Sequence, residues 1–238
     1  MNAVELRGVD VVRGERRVLA GVTLTIGARE RVALRGPNGI GKSTLLDVLL
    51  GLQPVRCGSV RVCGQPPPTA AVGYVPQNVT ASFLPWLCVE RNVTLPLTLR
   101  RAPSARIQAE LARVRERIDP QGAIDLRARP TTLSPGQLQL AALMRALIAR
   151  PKLLLCDEPS SALDEPSTRR AQRVLMDVVS EADGPALVLV THDALEARRL
   201  AARHILLEGQ PARLRDEPDT EAARRERHSV CEPRRQVP

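Results

Sequence analysis

With 238 residues, the chain has room for one large domain, or for a core with a small subdomain, around a substantial hydrophobic interior. Its formal charge of +9 is carried mostly by arginine, but Tyr74, Phe83 and Trp86 are its only aromatic residues, which excludes a base-stacking platform for nucleic acid. No run approaches the roughly 20 apolar residues that cross a bilayer, MNAVELRG has no apolar signal-type core, and the five cysteines make no CxxC pair; a soluble chain with reduced thiols, able to sit against a membrane, is expected.

In chain order, apolar and polar residues alternate at Val4 and Leu6, at Val9 and Val11, and at Val22, Leu24 and Ile26, with breaks at Gly8, Gly14 and Gly27. This predicts a small N-terminal sheet of mostly antiparallel strands. Residues 31–35 (RVALR) predict a strand running into Gly36-Pro37-Asn38-Gly39-Ile40-Gly41-Lys42-Ser43-Thr44, and residues 43–50 a helix leaving it, stopped by Gly51. The loop fits G-x-x-x-x-G-K-[ST] at every fixed position. Its glycines allow successive N–H groups to surround a phosphate chain at a helix N-terminus whose dipole favours anions. Lys42 is placed to meet the β- and γ-phosphates, and the Ser43 hydroxyl to ligate Mg²⁺. This is a nucleotide phosphate site.

Residues 59–63 read as a further strand, Pro66-Pro67-Pro68 as a stiff connection, and residues 71–75 as a strand ending at Pro76-Gln77. From about 78 to 130 the texture changes. Ile107, Leu111, Val114 and Ile118 recur at helical spacing, so a small helical insert is expected, with an amphipathic helix over 104–118 capped by Ser104. Beyond Pro130, Ser134 fits an N-cap, Pro135 a first helical residue and Gln137 the matching position of a capping box, for a helix running to Ala149. Residues 153–156 (LLLC) predict a buried strand ending in Asp157-Glu158, followed by a helix over 167–182, a buried strand over 186–190 and a helix over 194–202. Buried strands alternating with helices give an α/β fold with a mostly parallel sheet flanked by helices. From Gly209 acids precede bases among prolines, which predicts a polar, mobile tail over 209–238 and leaves 1–208 as the domain.

Four apolar residues followed by two acids are what a phosphate loop requires of a neighbouring strand. Asp157 can hold Mg²⁺ directly or through water, and Glu158 can orient or deprotonate an attacking water, which makes hydrolysis the expected chemistry.

At this point the chain resembles, over about residues 3–208, the nucleotide-binding subunit of an ATP-binding-cassette (ABC) transporter, a P-loop NTPase. Besides the phosphate loop, Val75-Pro76-Gln77 resembles the Q-loop and residues 133–137 (LSPGQ) the family signature. Residues 153–159 resemble the extended Walker B strand, 160–164 (SSALD) the D-loop, and Thr191-His192-Asp193 the switch histidine. The resemblance implies ATP with Mg²⁺. It implies that Gln77 senses the metal or water site, that Ser134 and Gly136, within the signature that Gln137 completes, touch the γ-phosphate held by a second copy, that His192 contacts that phosphate in cis, and that Asp164 joins the two sites. The working unit would be a head-to-tail pair of cassettes, either identical or paralogous. Three positions depart from the family: Pro135 replaces a glycine, Leu140 replaces an arginine, and Arg13 stands where an aromatic usually stacks on adenine. Arginine can still stack on a base plane.

Two tasks are compatible with the fold. One is to power a separate membrane permease, by import or by export; the other is to act as a soluble ATPase on nucleic acid or ribosomes. The interval from Lys42 to Pro135 holds no sustained heptads and the chain has one cassette, which favours transport and no specific nucleic-acid partner. Residues 84–97 (LPWLCVERNVTLPL) resemble the segment of nitrate, sulfonate and taurine importer ATPases that receives the permease. There Phe83, Leu84, Trp86 and Leu87 would supply apolar contacts and Glu90 or Arg91 ion pairs, within a contact region of about Phe83–Leu97; the alternative is that Trp86 and its neighbours pack the insert's own core. A cytoplasmic subunit, peripheral on the inner face of the cell membrane, with a permease as partner and a substrate-binding protein as a further candidate partner, is the expectation.

Overall fold

In the computed structural model, which describes residues 1–68, 72–161 and 163–217, the alternating N-terminal segment folds as a hairpin of β1 (Val4–Arg13) and β2 (Arg16–Ile26). β4 (Cys57–Val62) pairs antiparallel with the other edge of β1, giving the order β2-β1-β4. The third strand begins earlier than its alternation suggested, because Cys57 already pairs with Asp10; it ends at Val62 because Cys63 turns to a φ of 51° and donates its N–H to Ala3.

The second sheet has the order β5-β6-β7-β3-β8-β9. β5 (Val72–Val75), β6 (Leu153–Asp157), β7 (Ala186–Val190), β3 (Arg31–Arg35) and β8 (Arg203–Glu208) run parallel, and β9 (Arg213–Glu217) closes the edge antiparallel to β8. Side chains of β6 divide between two cores with period two. Leu154 and Cys156 join the core formed with the helical insert, while Leu153 and Leu155 join the core beneath the antiparallel sheet. Every residue of β6 and β7 is buried, which is why both read as unbroken apolar runs rather than alternating ones.

Helix α1 (Lys42–Leu50) follows the phosphate loop and ends at Gly51, whose left-handed conformation lets its N–H cap the last turn. The insert holds α2 (Val79–Ser82), α3 (Val89–Leu99) and α4 (Ser104–Ile118). Ser104 is the first helical residue of α4 and not its cap; Pro103 takes the flanking position and the helix has no side-chain cap. The insert shares one continuous core with α5 (Pro135–Leu147), whose capping box forms as the sequence suggests: Gln137 N–H donates to Ser134 Oγ at 3.2 Å and Ser134 N–H to Gln137 Oε1 at 3.0 Å. Helix α6 (Glu165–Ser180) starts two residues before the expected 167, because Asp164 accepts from Ser167 N–H at 2.9 Å and caps it. Helix α7 (Ala194–Leu200) is capped likewise by Asp193.

Two further expectations are corrected. Residues 209–217 are not tail. Ala212 exchanges backbone hydrogen bonds with Val18 and Ala20, and in β9 Asp216 receives two bonds from Arg203, at 2.7 and 3.0 Å, while Glu217 pairs with Arg35 at 3.1 Å. A polar edge strand whose acids find arginines has no apolar alternation to betray it. The Arg203 bond holds the Asp216 carboxyl below its ordinary range. Phe83, expected on the permease surface, is buried, with the Arg145 guanidinium 4.4 Å above its ring. Ala71 and Ala162, within the expected fifth strand and D-loop, and residues 218–238 lie outside the described residues.

A chain ending at Glu208, the boundary read from sequence, loses β9 and its ion pairs and is expected to melt lower by about 5 °C or more than one ending at Glu217, read by calorimetry.

Candidate functional site

Strand β3 must turn sharply into α1, and the loop does so with glycines at positive φ: Gly36 at 146°, Gly39 at 72° and Gly41 at 122°. At Gly36 the packing also forbids a side chain, and at Gly41 it crowds one. A Cβ on Gly36 would lie 2.6 Å from the Leu207 carbonyl oxygen, and one on Gly41 would meet Leu19 at 3.0 Å. No side chain caps α1, so its first-turn amides remain directed at the loop. Lys42 is buried and folds its ammonium onto the loop's own carbonyls, donating to Gly36 O at 2.8 Å and Pro37 O at 3.0 Å.

The ends of the parallel strands supply the rest. From α1, Ser43 Oγ donates to Asp157 Oδ2 at 3.2 Å. Burial pushes the Asp157 carboxyl up; the Ser43 bond opposes this, and the neighbouring Glu158 charge adds to it. Glu158 adopts a φ of 47°, a left-handed conformation that costs a non-glycine residue free energy, and its N–H donates to Val190 O at 2.8 Å. One oxygen of its carboxylate, Oε2, accepts from Gln77 Nε2 at 3.0 Å and is approached by His192 Nδ1 at 3.4 Å. These groups line a groove of about 650 Å³ together with Arg13, Arg16, Val18, Asn38, Gly39, Gly41, Lys42 and Thr44. Its size suits a nucleotide.

Other predicted residues lie elsewhere or are differently engaged. Arg13 lines the groove but is held by Gln53 Oε1 at 3.1 Å and by Asp47. Gly36, Pro37 and Ile40 shape the loop from outside the groove wall. Ser134, Gly136 and Gln137 are not among the groove's lining residues; Gly136 packs so closely on α6 that a Cβ would lie 2.7 Å from Ser167 Oγ. Asp164 is spent in part on its cap, and the Ser167 bonds hold its carboxyl down. Leu140 is buried in the core where an arginine was expected by resemblance.

Three residues with structural consequences escaped the sequence reading. Asn92, fully buried, accepts from Leu84 N–H and donates to the carbonyls of Leu84, Leu87 and Cys88, so it shapes the loop that carries exposed Trp86. Arg145 joins α5 to the segment after Gln77 by bonds to Ser82 O at 2.7 Å and Ser82 Oγ at 2.6 Å. Glu196 is a buried acid on α7. Its spacing was the available signal, since it sits one turn before buried Leu200 on the same helix face.

A glycine-rich loop at a helix N-terminus, facing a buried aspartate and a glutamate held between an amide and an imidazole, defines a P-loop nucleotide hydrolase site. The sequence model of the ABC transporter family matches residues 19–161. The aliphatic sulfonates import ATP-binding protein SsuB 2 of Burkholderia lata is 37% identical over 225 residues, 93% of this chain and 78% of that protein. The protein of the same name from Pseudomonas savastanoi pv. phaseolicola is 42% identical over 204 residues, 86% and 70% of the two chains. The zinc import ATP-binding protein ZnuC of Cereibacter sphaeroides is 35% identical over 231 residues, 93% and 88%. The chain belongs to the ABC transporter family.

Gly36→Ala combines a forbidden φ with a backbone clash against Leu207. It is expected to distort the loop and to weaken ATP binding by about tenfold or more, read by isothermal titration, while the rest of the fold persists by circular dichroism.

Proposed function

We propose that this chain is the ATP-hydrolysing subunit of an importer, working as a pair of cassettes against a separate membrane permease. The observation that carries the reading is the meeting of Gln77, Glu158 and His192 beside the Ser43–Asp157 pair, at the mouth of the phosphate loop. In it, the loop amides and Lys42 bind the phosphates, and Lys42 exchanges its carbonyl contacts for phosphate oxygens. Glu158 accepts a proton from water as that water's oxygen attacks the γ-phosphorus, and the bond from that phosphorus to the bridging oxygen breaks to release ADP. His192 and Gln77 hold the glutamate and the water in register.

Ser43, Asp157 and Gln77 would hold Mg²⁺. The donor set fits: a hydroxyl bonded to a buried carboxylate whose charge burial disfavours, a disfavour that a cation would relieve. When bound, the ion neutralises charge on the phosphate oxygens. Ser134 and Gly136, outside the groove of their own chain, would complete the site of a second cassette, with Asp164 at the junction. That second cassette is a copy of this chain or a paralogue.

Among the described residues no helix is long and apolar enough to cross a membrane, so the membrane-spanning part of the system is assigned to the permease. The subunit sits on the inner face of the cell membrane. Within the expected contact region of Phe83–Leu97, Phe83, Val93 and Leu97 are buried, and the surface left to a permease is Trp86, 67% exposed, flanked by half-buried Leu84 and Leu87 with Glu90 and Arg91. Relatives of similar identity are named for cargoes as unlike as aliphatic sulfonates and zinc, which supports assigning cargo choice to the permease and any substrate-binding protein.

Glu158→Gln is expected to lower turnover by about a hundredfold or more while ATP binding persists. Tagged protein with this substitution, pulled from detergent-solubilised native membranes with ATP, should bring down a multi-span permease in stoichiometric amount, and adding Trp86→Ala should release it; recovery of ribosomes or DNA instead would overturn the reading. Asp157→Asn has an opposite signature. With its folded carboxyl held above the ordinary value, the charged form penalises the fold at neutral pH, and the penalty fades as pH falls through that raised value. The asparagine should leave the nucleotide-free melting temperature at pH 7.5 unchanged or higher, and should remove the extra stabilisation that Mg²⁺ adds to ATP.

A further inference from the structure

Glu196 is a buried carboxylate that the hydrolytic chemistry above leaves without a part. It is 3% exposed on α7, at a depth where a carboxylate is tolerated only if its oxygens are hydrogen-bonded. Oε2 accepts from Thr191 Oγ1 at 2.6 Å; Oε1 accepts from the Ser160 hydroxyl and from Gln172 Nε2 at 3.4 Å, and Arg199 reaches the far side of Gln172 at 3.3 Å.

The places of those donors in the chain give the cluster its meaning. Thr191 immediately precedes His192, and its Oγ1 also accepts from Asp193 N–H at 3.0 Å. Ser160 lies two residues beyond Glu158. β6 ends at Asp157 and β7 at Val190, so Glu158 and His192 lie just beyond the strands, and Glu158 keeps one backbone bond, its N–H donating to Val190 O. They nevertheless come within 3.4 Å of one another. One carboxylate fastens both departing segments from behind, one oxygen to each.

We propose that Glu196 is a positioning residue for hydrolysis: by bonding Ser160 and Thr191 together it sets the approach of Glu158 to His192. This rests on Glu158 being the catalytic base. Gln172 brings α6 into the same cluster, so displacement of the helix that begins at Asp164 is transmitted to both segments.

Glu196→Gln is the discriminating variant. The amide keeps the volume but replaces one acceptor oxygen with a donor, leaving a buried hydroxyl proton without its acceptor. The expected result is a fall of about tenfold or more in kcat for Mg-ATP, with KM for ATP within about threefold and a melting temperature within about 5 °C. Thr191→Val should reproduce the loss and Thr191→Ser should restore it. Combined with Glu196→Gln, Thr191→Val should cost little more than either alone, because both cut the same link.

A kcat within about threefold of the parent for Glu196→Gln overturns the proposal, as does full additivity of the two substitutions or a loss that follows the melting temperature. Should Glu196→Gln fail to fold, the Thr191→Val and Thr191→Ser pair decides, by loss and restoration of kcat at unchanged KM. Full turnover by Glu158→Gln would remove the assignment of the base and this proposal with it; a silent Glu196→Gln beside a dead Glu158→Gln removes the proposal alone.

Discussion

Five adjacent strands run parallel in the order β5-β6-β7-β3-β8, so their C-terminal ends emerge on one edge of the sheet. That constraint delivers the site. Gln77 follows β5, Asp157 ends β6 with Glu158 just beyond it, His192 follows β7, and the phosphate loop follows β3. Ser43 and Asp157 are 114 residues apart in sequence, yet their hydrogen bond needs no special path, because Asp157 ends β6 and Ser43 opens the helix that the phosphate loop joins to β3 of the same sheet. β7 lies between β3 and β6, which is why His192 meets Glu158 from the phosphate-loop side and Gln77 meets it from the other. Ligand sites at this edge are what open α/β sheets favour.

The same edge is where the fold departs from relaxed geometry. Glu158 stands in a left-handed conformation, Asp157 carries a carboxyl that burial holds up, and Lys42 is nine-tenths buried against backbone carbonyls. The left-handed backbone and the buried carboxyl each cost free energy in the protein alone, and the buried ammonium at the loop suits a site for phosphates. The hydrophobic layers make such departures tolerable. β6 and β7 are packed on both faces from end to end, so their final residues cannot relax outward without opening two cores.

Legibility in sequence followed how local the physics was. The phosphate loop, the LLLC run ending in two acids and the Ser134–Gln137 capping box are each decided within a few residues, and all three form as the pattern implies. β9 escaped because Asp216 and Glu217 look solvated until Arg203 and Arg35 are brought beside them from other strands. Phe83 escaped for a related reason: the core that takes up that ring, and the Arg145 guanidinium over it, are supplied by α5 from elsewhere in the chain. Trp86 and Phe83 are near neighbours in sequence and opposite in fate, and no spacing rule separates them.

The signature segment shows a further limit of local reading. Gly136 invites one explanation, close approach of backbone to a phosphate, but within its own chain it already has another. A side chain there would press on Ser167, in the first turn of the helix that Asp164 caps. The glycine thus keeps the N-termini of α5 and α6 in contact, so a load on either reaches the other without slack. Arg145, on the last turns of α5, carries the same helix to Ser82 and Phe83 just beyond Gln77. Helix α5 is therefore clamped at one end to the first turn of α6 and at the other to the segment that leads to the exposed Trp86. Leu140, five residues earlier on the helix, is buried in the core; the linkage itself rests on the Arg145 guanidinium, which is largely desolvated and doubly bonded.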